Sequence, residues 1–189
     1  MTETTVLGKV QVPRTSFFQV NHGVADLLLS TVMGILKHTP AHTVIDLYCG
    51  VGVFALAAGM AGVPRIIGID QDEKGIQAAR QNAAEHKLNS VEFVALPATK
   101  GLKQTLRRVD PAGMLLIVDP PRLGLEKAAV ELIARNRPSE IAYVSCAADT
   151  MARDVSLLAK AGYRVVSSRL FDMFPRTPHF ESLTQLTIG

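Results

Sequence analysis

The stretch from Thr43 to Asp70, TVIDLYCGVGVFALAAGMAGVPRIIGID, decides the fold. It opens with an apolar run that ends at Leu47 and is followed by a turn carrying Gly50 and Gly52. A run of small residues typical of a helix comes next, and a second apolar run ends on Asp70. The pattern predicts a strand, a glycine turn, a helix and a strand, which together form one right-handed βαβ unit.

The turn and its acids have the composition of a nucleoside site. Glycines after a strand let the backbone approach a ligand closely, and an acid twenty residues after Gly50 can accept both hydroxyls of a ribose. Residue 55, where the dinucleotide fingerprint has its third glycine, is alanine, and Asp46 puts another acid near the turn. Since the sulfonium and ammonium groups of S-adenosylmethionine are cationic, this cofactor fits better than NAD. An ordinary βα turn is the alternative interpretation.

Strands and helices continue to alternate on both sides of this unit. The residues after Asn21, a good helix cap, have helical periodicity, and the last two strands have no helix between them, so they should pair antiparallel. We therefore predict the α/β class, with a doubly wound, mostly parallel, Rossmann-like sheet of seven strands that ends in an antiparallel hairpin. Residues 1–16 are interpreted as a lead-in and 17–189 as one domain. The predicted strands are 43–47, 65–69, 91–96, 114–118, 140–144, 163–171 and 182–188, and the helices are 22–37, 53–61, 72–86, 98–108, 126–135 and 149–161, the last with Asp149 as its cap and Gly162 after its end.

Composition narrows the function classes. The net charge is +3 over 189 residues, and residues 100–189 carry thirteen basic against nine acidic side chains. This half is interpreted either as a surface that faces nucleic acid or as an ordinary solvated basic surface. No apolar stretch reaches the roughly 18 residues of a membrane span, so no membrane partner is expected, and we predict no metal site. The two cysteines, Cys49 and Cys146, predict reduced thiols and a cytoplasmic protein rather than a disulfide framework.

Reactive side chains follow several of the predicted strands. Asp46, Asp70, Asp119 and Cys146 lie at or near strand carboxyl ends, and ligands of such sheets bind at that edge. Cys146 also precedes a predicted helix, whose dipole should lower the thiol pKa and favour the thiolate. It is therefore a better nucleophile candidate than Cys49, which lies inside the cofactor turn. A small buried hydrophobe is the alternative role for Cys146.

A set of motifs in one order resembles the catalytic domain of the RNA uracil-C5 methyltransferases, which use S-adenosylmethionine to make 5-methyluridine in tRNA or ribosomal RNA. The resemblance runs from about residue 17 to the C-terminus. Its motifs are FFQVN (17–21), DLYCGVGVF (46–54), VDPPR (118–122), YVSC (143–146), ARD (152–154) and FPRTPHFE (174–181).

The resemblance implies a mechanism and a set of site residues. A thiolate adds to uracil C6 so that C5 can attack the cofactor's methyl group, and a base then removes the C5 proton. The resemblance assigns the thiol to Cys146 and the base to Glu181, and it implies an RNA substrate whose target uridine is flipped out. The residues that it implies for the cofactor are Gln19, Tyr48, Asp70 and Asp119, with Gly50 shaping the loop; Asp46 and Gly52 join them from the analysis of the turn. Arg122 is expected to hold its loop or to meet an RNA phosphate.

The sequence also departs from the family pattern. Val53 stands where many members have a polar residue, Ala147 replaces the usual asparagine, and residues 96–98 offer no polar side chain to an adenine. Family members usually carry an N-terminal oligonucleotide-binding-type domain and a central domain that this sequence does not include. Two alternatives stay open: a methyltransferase of another substrate class, and a non-catalytic module that binds the cofactor or RNA.

Overall fold

The computed structural model describes residues 1–14, 21–173, 175–177 and 180–188. The strands and helices predicted between residues 22 and 188 are all present, with bounds that differ by at most three residues. In chain order the elements are β1 (Thr2–Thr5), β2 (Gly8–Gln11), α1 (His22–His38), β3 (Thr43–Leu47), α2 (Val53–Met60), β4 (Arg65–Asp70), α3 (Glu73–Glu85), β5 (Val91–Ala95), α4 (Ala98–Thr105), a 3₁₀ turn (Pro111–Gly113), β6 (Met114–Val118), α5 (Lys127–Asn136), β7 (Glu140–Ser145), α6 (Ala148–Lys160), β8 (Tyr163–Phe171) and β9 (Glu181–Ile188).

Seven strands form one mixed sheet in the order β5-β4-β3-β6-β7-β9-β8. The first five are parallel, β9 runs antiparallel to β7, and β8 runs antiparallel to β9. This confirms the predicted fold class and the C-terminal hairpin. The chain winds outward from β3 to β5 and then returns to β6 on the other side of β3, so the strand order reverses between β3 and β6. In open α/β sheets, ligands bind outside the carboxyl ends of the strands at this reversal.

Helices cover both faces of the sheet and divide its core into two apolar clusters. Side chains of α1, α2 and α3 pack on one face, and those of α4, α5 and α6 pack on the other. Strands β3 and β6 are buried along their whole length, which explains why both have continuous apolar runs. Among the described residues, no helix is both long enough and apolar enough to span a lipid bilayer.

The helix ends agree with the sequence at one site and differ at another. The side chain of Asn21 accepts a hydrogen bond from the amide of Val24 at 3.3 Å, so Asn21 caps α1 as predicted. The prediction that Asp149 caps α6 is wrong, because the helix starts one residue earlier and its cap position is Ala147. The Ser145 hydroxyl accepts a hydrogen bond from the Ala147 amide at 3.0 Å and thereby turns the chain into the helix.

The N-terminal segment, interpreted from the sequence as a lead-in, forms an antiparallel hairpin of β1 and β2. Val10 and Val12 are buried against Val51 in the glycine turn and Ala78 on α3. The buried Asn82 side chain exchanges two hydrogen bonds with the main chain of residue 11 and donates a third to the Val51 carbonyl. The hairpin is therefore fastened to the turn that follows β3.

Candidate active site

The turn after β3 has a backbone that requires glycine at residues 50 and 52. Both residues have positive φ, +53° and +85°, and Gly52 occupies the cap position of α2. A side chain at residue 52 would also collide with the ring of Phe93, which would lie 2.8 Å from the added carbon. The predicted role of these glycines in shaping a close-approach loop therefore agrees with the geometry.

Asp70, at the end of β4, holds this loop. One of its carboxylate oxygens accepts a hydrogen bond from the Gly50 amide at 2.9 Å, and the other accepts one from the Asp72 amide at 2.8 Å. Each carboxylate oxygen has two lone pairs, so both can accept a further hydrogen bond, as binding to a ribose would require.

Asp46 is buried at the end of β3 on the face covered by α1 to α3. One oxygen accepts a hydrogen bond from the Ala55 amide at 2.9 Å, and the other has no hydrogen-bond partner among the described residues. Burial raises the pKa of Asp46 to about 8, and the nearby acids Asp119 and Asp70 add to the shift. A buried carboxylate with an open oxygen is ready to accept a cation or a hydrogen-bond donor.

Asp119 follows β6 and contributes a second acid to the same face. Residues alternate between faces along a strand, and residues 115 and 117 pack under α1 to α3, so residue 119 points the same way. Burial and the charge of Glu181 raise the pKa of the partly covered Asp119 carboxyl to about 7. The charge of Asp119 raises the pKa of Asp46, and the charge of Glu181 raises the pKa of Asp119. These three acids therefore form one cluster.

Cys146 and Glu181 meet at the carboxyl end of β7. Ser145 pairs with Ser182 in the antiparallel ladder, so continuing the register by one residue places Cys146 opposite Glu181. Alternation puts both on the face that carries Asp46 and Asp119. Glu181 is 4% exposed, whereas Cys146 is partly open to solvent. The predicted nucleophile, base and acids thus share one edge and one face of the sheet.

The expectation that the helix dipole lowers the Cys146 pKa is wrong. Burial of the thiol raises its pKa, and the charges of Glu181 and Asp119 raise it further. The positive charge of exposed Arg122 and a backbone hydrogen bond lower it, but they do not offset the acids. The acids reach the thiol from strands far away in sequence, so inspection of the Cys146 segment alone could not reveal them.

Two predicted cofactor residues stand apart from this cluster. The Tyr48 side chain packs against the core under α4 to α6, the face opposite Asp46. Burial, together with the nearby charge of Glu126, raises the pKa of its phenol to about 12. The cofactor role of Tyr48 stays a prediction that its side-chain position does not support. Gln19 lies outside the described residues, as do residues 174, 178 and 179 of the last motif, so the role of Gln19 also stays a prediction.

Sequence reasoning missed a buried aspartate that holds the loop beside Cys146. The Asp154 carboxylate accepts hydrogen bonds from the Leu125 amide at 2.7 Å and the Tyr143 hydroxyl at 2.8 Å, and it pairs with Arg153 at 2.8 Å. Arg153 in turn donates to the carbonyl of Leu123 at 2.9 Å. We call Tyr143, Arg153 and Asp154 the loop clamp. The ARD motif was the available signal for it, but the motif itself gives no indication of burial.

No group of three or more His, Cys, Asp or Glu in the part of the chain that the structure describes is arranged to hold a metal ion. Both cysteines are free thiols.

Comparison with known proteins identifies the family. Residues 7–187 match the family model described as tRNA (uracil-5-)-methyltransferase. The chain belongs to this family. The match includes the N-terminal strand β2, so it begins earlier than the resemblance found from the motifs.

Individual RNA methyltransferases are also similar to this chain in sequence. The chain is 39% identical over 174 residues to the 23S rRNA (uracil(747)-C(5))-methyltransferase RlmC of Yersinia pestis, covering 92% of this chain and 44% of that protein. It is 37% identical over 180 residues to an uncharacterised RNA methyltransferase of Thermosynechococcus vestitus, covering 95% of this chain and 39% of that protein. The chain thus spans about two fifths of the length of these relatives.

A solved structure supports the same conclusion. The Pyrococcus abyssi tRNA (uracil-54, C5)-methyltransferase, in complex with S-adenosyl-L-homocysteine, superimposes with a TM-score of 0.78 at 33% identity. The match covers 95% of this chain and 42% of that one. The predicted family and fold are confirmed, and the ligand in the Pyrococcus protein supports the predicted cofactor.

Proposed function

We propose that this chain is the catalytic part of an RNA uridine C5-methyltransferase that uses S-adenosylmethionine, with Cys146 as the nucleophile and Glu181 as the base. The observation that carries the proposal is the ladder register, which pairs Ser145 with Ser182 and so brings the adjoining residues, Cys146 and Glu181, to the same end of the two strands. The two side chains share the edge and the face that hold Asp46 and Asp119. A thiol, a base and a cofactor loop at one edge supply the groups that methylation of uracil C5 needs.

The acid cluster fits the charge of the proposed cofactor. Asp46 has one buried oxygen without a hydrogen-bond partner among the described residues, and burial together with neighbouring acids raises the pKa values of Asp46 and Asp119 to about 8 and about 7, so a cation bound there would be stabilised by both. Bound S-adenosylmethionine supplies an electrophilic methyl group on a cationic sulfonium. Gly50 and Gly52 leave the backbone open to a ligand, and Asp70 holds the loop from β4 with spare acceptor capacity for a ribose.

Cys146 begins the chemistry. Its sulfur adds to C6 of the uracil, forming a carbon–sulfur bond while the C5–C6 double bond becomes an enolate. C5 then has the electron density to take up the methyl group. Because burial and the charges of Glu181 and Asp119 raise the Cys146 pKa, we expect a positive charge bound beside the acids to favour ionisation of the thiol.

Glu181 completes the turnover. A carboxylate across the ladder from the sulfur can remove the proton that C5 still carries. The electron pair of that C–H bond restores the C5–C6 double bond and expels the Cys146 sulfur. Because Glu181 is buried, bulk water is kept away from this proton transfer.

The proposed substrate is a uridine in tRNA or ribosomal RNA. A base inside a helical stack cannot present C6 to a side chain, so the target must lie in a loop or be flipped out. Such RNA is found in the cytoplasm, where reduced thiols such as Cys49 and Cys146 persist, and we place the protein there.

The test uses RNA that carries 5-fluorouridine, because fluorine at C5 cannot be removed as a proton. We expect wild-type protein and cofactor to form a complex with this RNA that survives denaturing electrophoresis. Cys146→Ala should form none and should transfer no methyl group to unmodified RNA, while Glu181→Gln should accumulate an adduct on unmodified RNA. Cys49→Ala, which removes the other thiol of the chain, is the matched control and should still form the denaturation-resistant complex.

The same experiment separates the alternatives. A methyltransferase of another substrate class would bind the cofactor but form no denaturation-resistant complex. A non-catalytic module would bind ligand without transferring a methyl group. Full methyl transfer by Cys146→Ala would overturn the proposed mechanism.

A further inference from the structure

A groove between α4 and α5 gathers positive charge away from the site described above. It is lined by Lys103, Leu106 and Arg107 at the end of α4 and just beyond it, and by Leu132, Arg135 and Asn136 near the end of α5. Both helices start after the carboxyl end of a strand, so their last residues lie toward the opposite edge of the sheet. The groove is therefore separate from the sheet edge that carries Cys146.

In the part of the chain that the structure describes, the cations of this groove have no acidic partner. Lys103, Arg107 and Arg135 are exposed, no carboxylate lines the groove, and none of the three forms a salt bridge among the described residues. Lys103 lies in the last turn of α4 and Arg107 lies two residues beyond its end, and both line the same groove. A bound anion would reduce the repulsion between such neighbouring positive charges.

Two acids on neighbouring elements have basic partners outside the groove. Glu92 lies 3.4 Å from Arg108, and Glu131 lies 3.9 Å from Lys127. The exposed Lys100, one turn before Lys103 on α4, continues the positive charge along the helix. Four of the thirteen basic side chains of residues 100–189 thus line this groove or lie one turn before it.

We propose that the groove binds the phosphate backbone of the RNA substrate at a distance from the target uridine. The inference rests on the proposed function, since it assigns a second contact to the same RNA. Lysine and arginine around a shallow groove suit a polyanion and carry no base specificity. A strand of five residues spans about 17 Å, so only RNA that extends well beyond the target loop can reach both places.

The test combines Lys103→Gln, Arg107→Gln and Arg135→Gln in one protein. The control combines Lys9→Gln, Lys37→Gln and Lys74→Gln, which remove the same charge from exposed residues on the hairpin and on the helices of the other face. Each protein is titrated with a long structured RNA and with a short stem-loop that carries the target uridine, over a series of salt concentrations. Methyl transfer to both RNAs is measured in parallel.

We expect the groove variant to bind the long RNA at least tenfold more weakly at low salt, with a salt slope about 2 to 3 smaller, because each lost phosphate contact removes up to about 0.9 from the slope. Its methyl transfer to the stem-loop should match the wild type. Equal long-RNA affinity in the groove variant and the control would overturn the proposal, and so would an equal loss on both RNAs. If wild-type protein transfers no methyl group to either RNA, the proposed function fails, while the salt titration still tests the groove.

Discussion

Two buried aspartates, Asp46 and Asp154, are bonded in opposite ways. Asp154 accepts hydrogen bonds from a main-chain amide and a tyrosine hydroxyl and pairs with Arg153, so its charge is fully supported. Asp46 has one amide partner and one open oxygen, and burial raises its pKa to about 8. The first arrangement stabilises the folded chain, whereas the second costs stability until a ligand supplies the missing partner.

The difference separates structural from functional groups within a single sheet. Residues of the loop clamp should affect stability when changed. Residues of the acid cluster should affect ligand binding, pH dependence and turnover, with little loss of stability or even a gain. Active sites commonly retain such unfavourable electrostatics because the charge is arranged for the ligand.

The largest stability effect is expected from Asp154→Ala. The substitution leaves the Leu125 amide and the Tyr143 hydroxyl without their acceptor, at a cost of about 3 kcal/mol in the free energy of unfolding. Urea denaturation measures this change. Asp149→Ala, at an exposed position on the same helix, is the control and should cost less than about 1 kcal/mol. A cost for Asp154→Ala as small as that of the control would contradict the structural role of the clamp.

The next effect is a pH dependence that Asp46 produces. Its folded pKa of about 8 lies above the ordinary value of 3.8, so its contribution to stability is fully present below pH 4 and is lost as the pH rises through 8. Between about pH 4 and pH 8, the loss of this proton should lower the free energy of unfolding by up to about 1.4 kcal/mol per pH unit. Asp46→Asn should remove this part of the slope, as shown by urea denaturation at pH 6 and pH 8.

An exposed aspartate provides the comparison for that measurement. Asp149→Asn should keep the wild-type slope. If Asp46→Asn has the same slope as Asp149→Asn, the buried carboxyl does not change its protonation on folding, and the contrast with Asp154 disappears.

The sequence predicted the sheet well because its parallel strands are continuous apolar runs separated by amphipathic helices. It also predicted the shared edge, since the carboxyl ends of parallel strands must lie together. The N-terminal hairpin was missed because Thr2–Thr5 is polar and only three of the residues that follow it, Leu7, Val10 and Val12, are buried. The raised pKa of Cys146 and the bonding of Asp154 were missed because both depend on groups brought together from distant segments.

A third buried polar residue, on α3 beside the turn after β3, extends the comparison between Asp46 and Asp154. Asn82 forms three hydrogen bonds that join α3 to the hairpin and to the turn after β3, so it belongs with Asp154 as a satisfied group. Asn82→Ala should lower the free energy of unfolding by about 2 kcal/mol, because buried main-chain groups lose their partners. Gln81→Ala, at the exposed neighbouring position, should change it little. Equal urea midpoints for the two variants would contradict this assignment.

The smallest expected effect is the most direct test of the acid cluster. In a Cys49→Ala protein the thiolate absorbance of Cys146 can be titrated alone, with the double cysteine variant as the blank. The Cys146 thiol of the free protein should titrate above the ordinary thiol pKa, because burial and the charges of Glu181 and Asp119 oppose ionisation.

Sinefungin, which carries an amine in place of the methylated sulfur, should lower the Cys146 pKa by about one unit, equivalent to about 1.4 kcal/mol. S-adenosylhomocysteine, whose sulfur is neutral, should lower it less. A Cys146 pKa already below the ordinary value in the free protein would show that the helix dipole outweighs the acids, and Asp46 and Asp119 would then not act on the nucleophile.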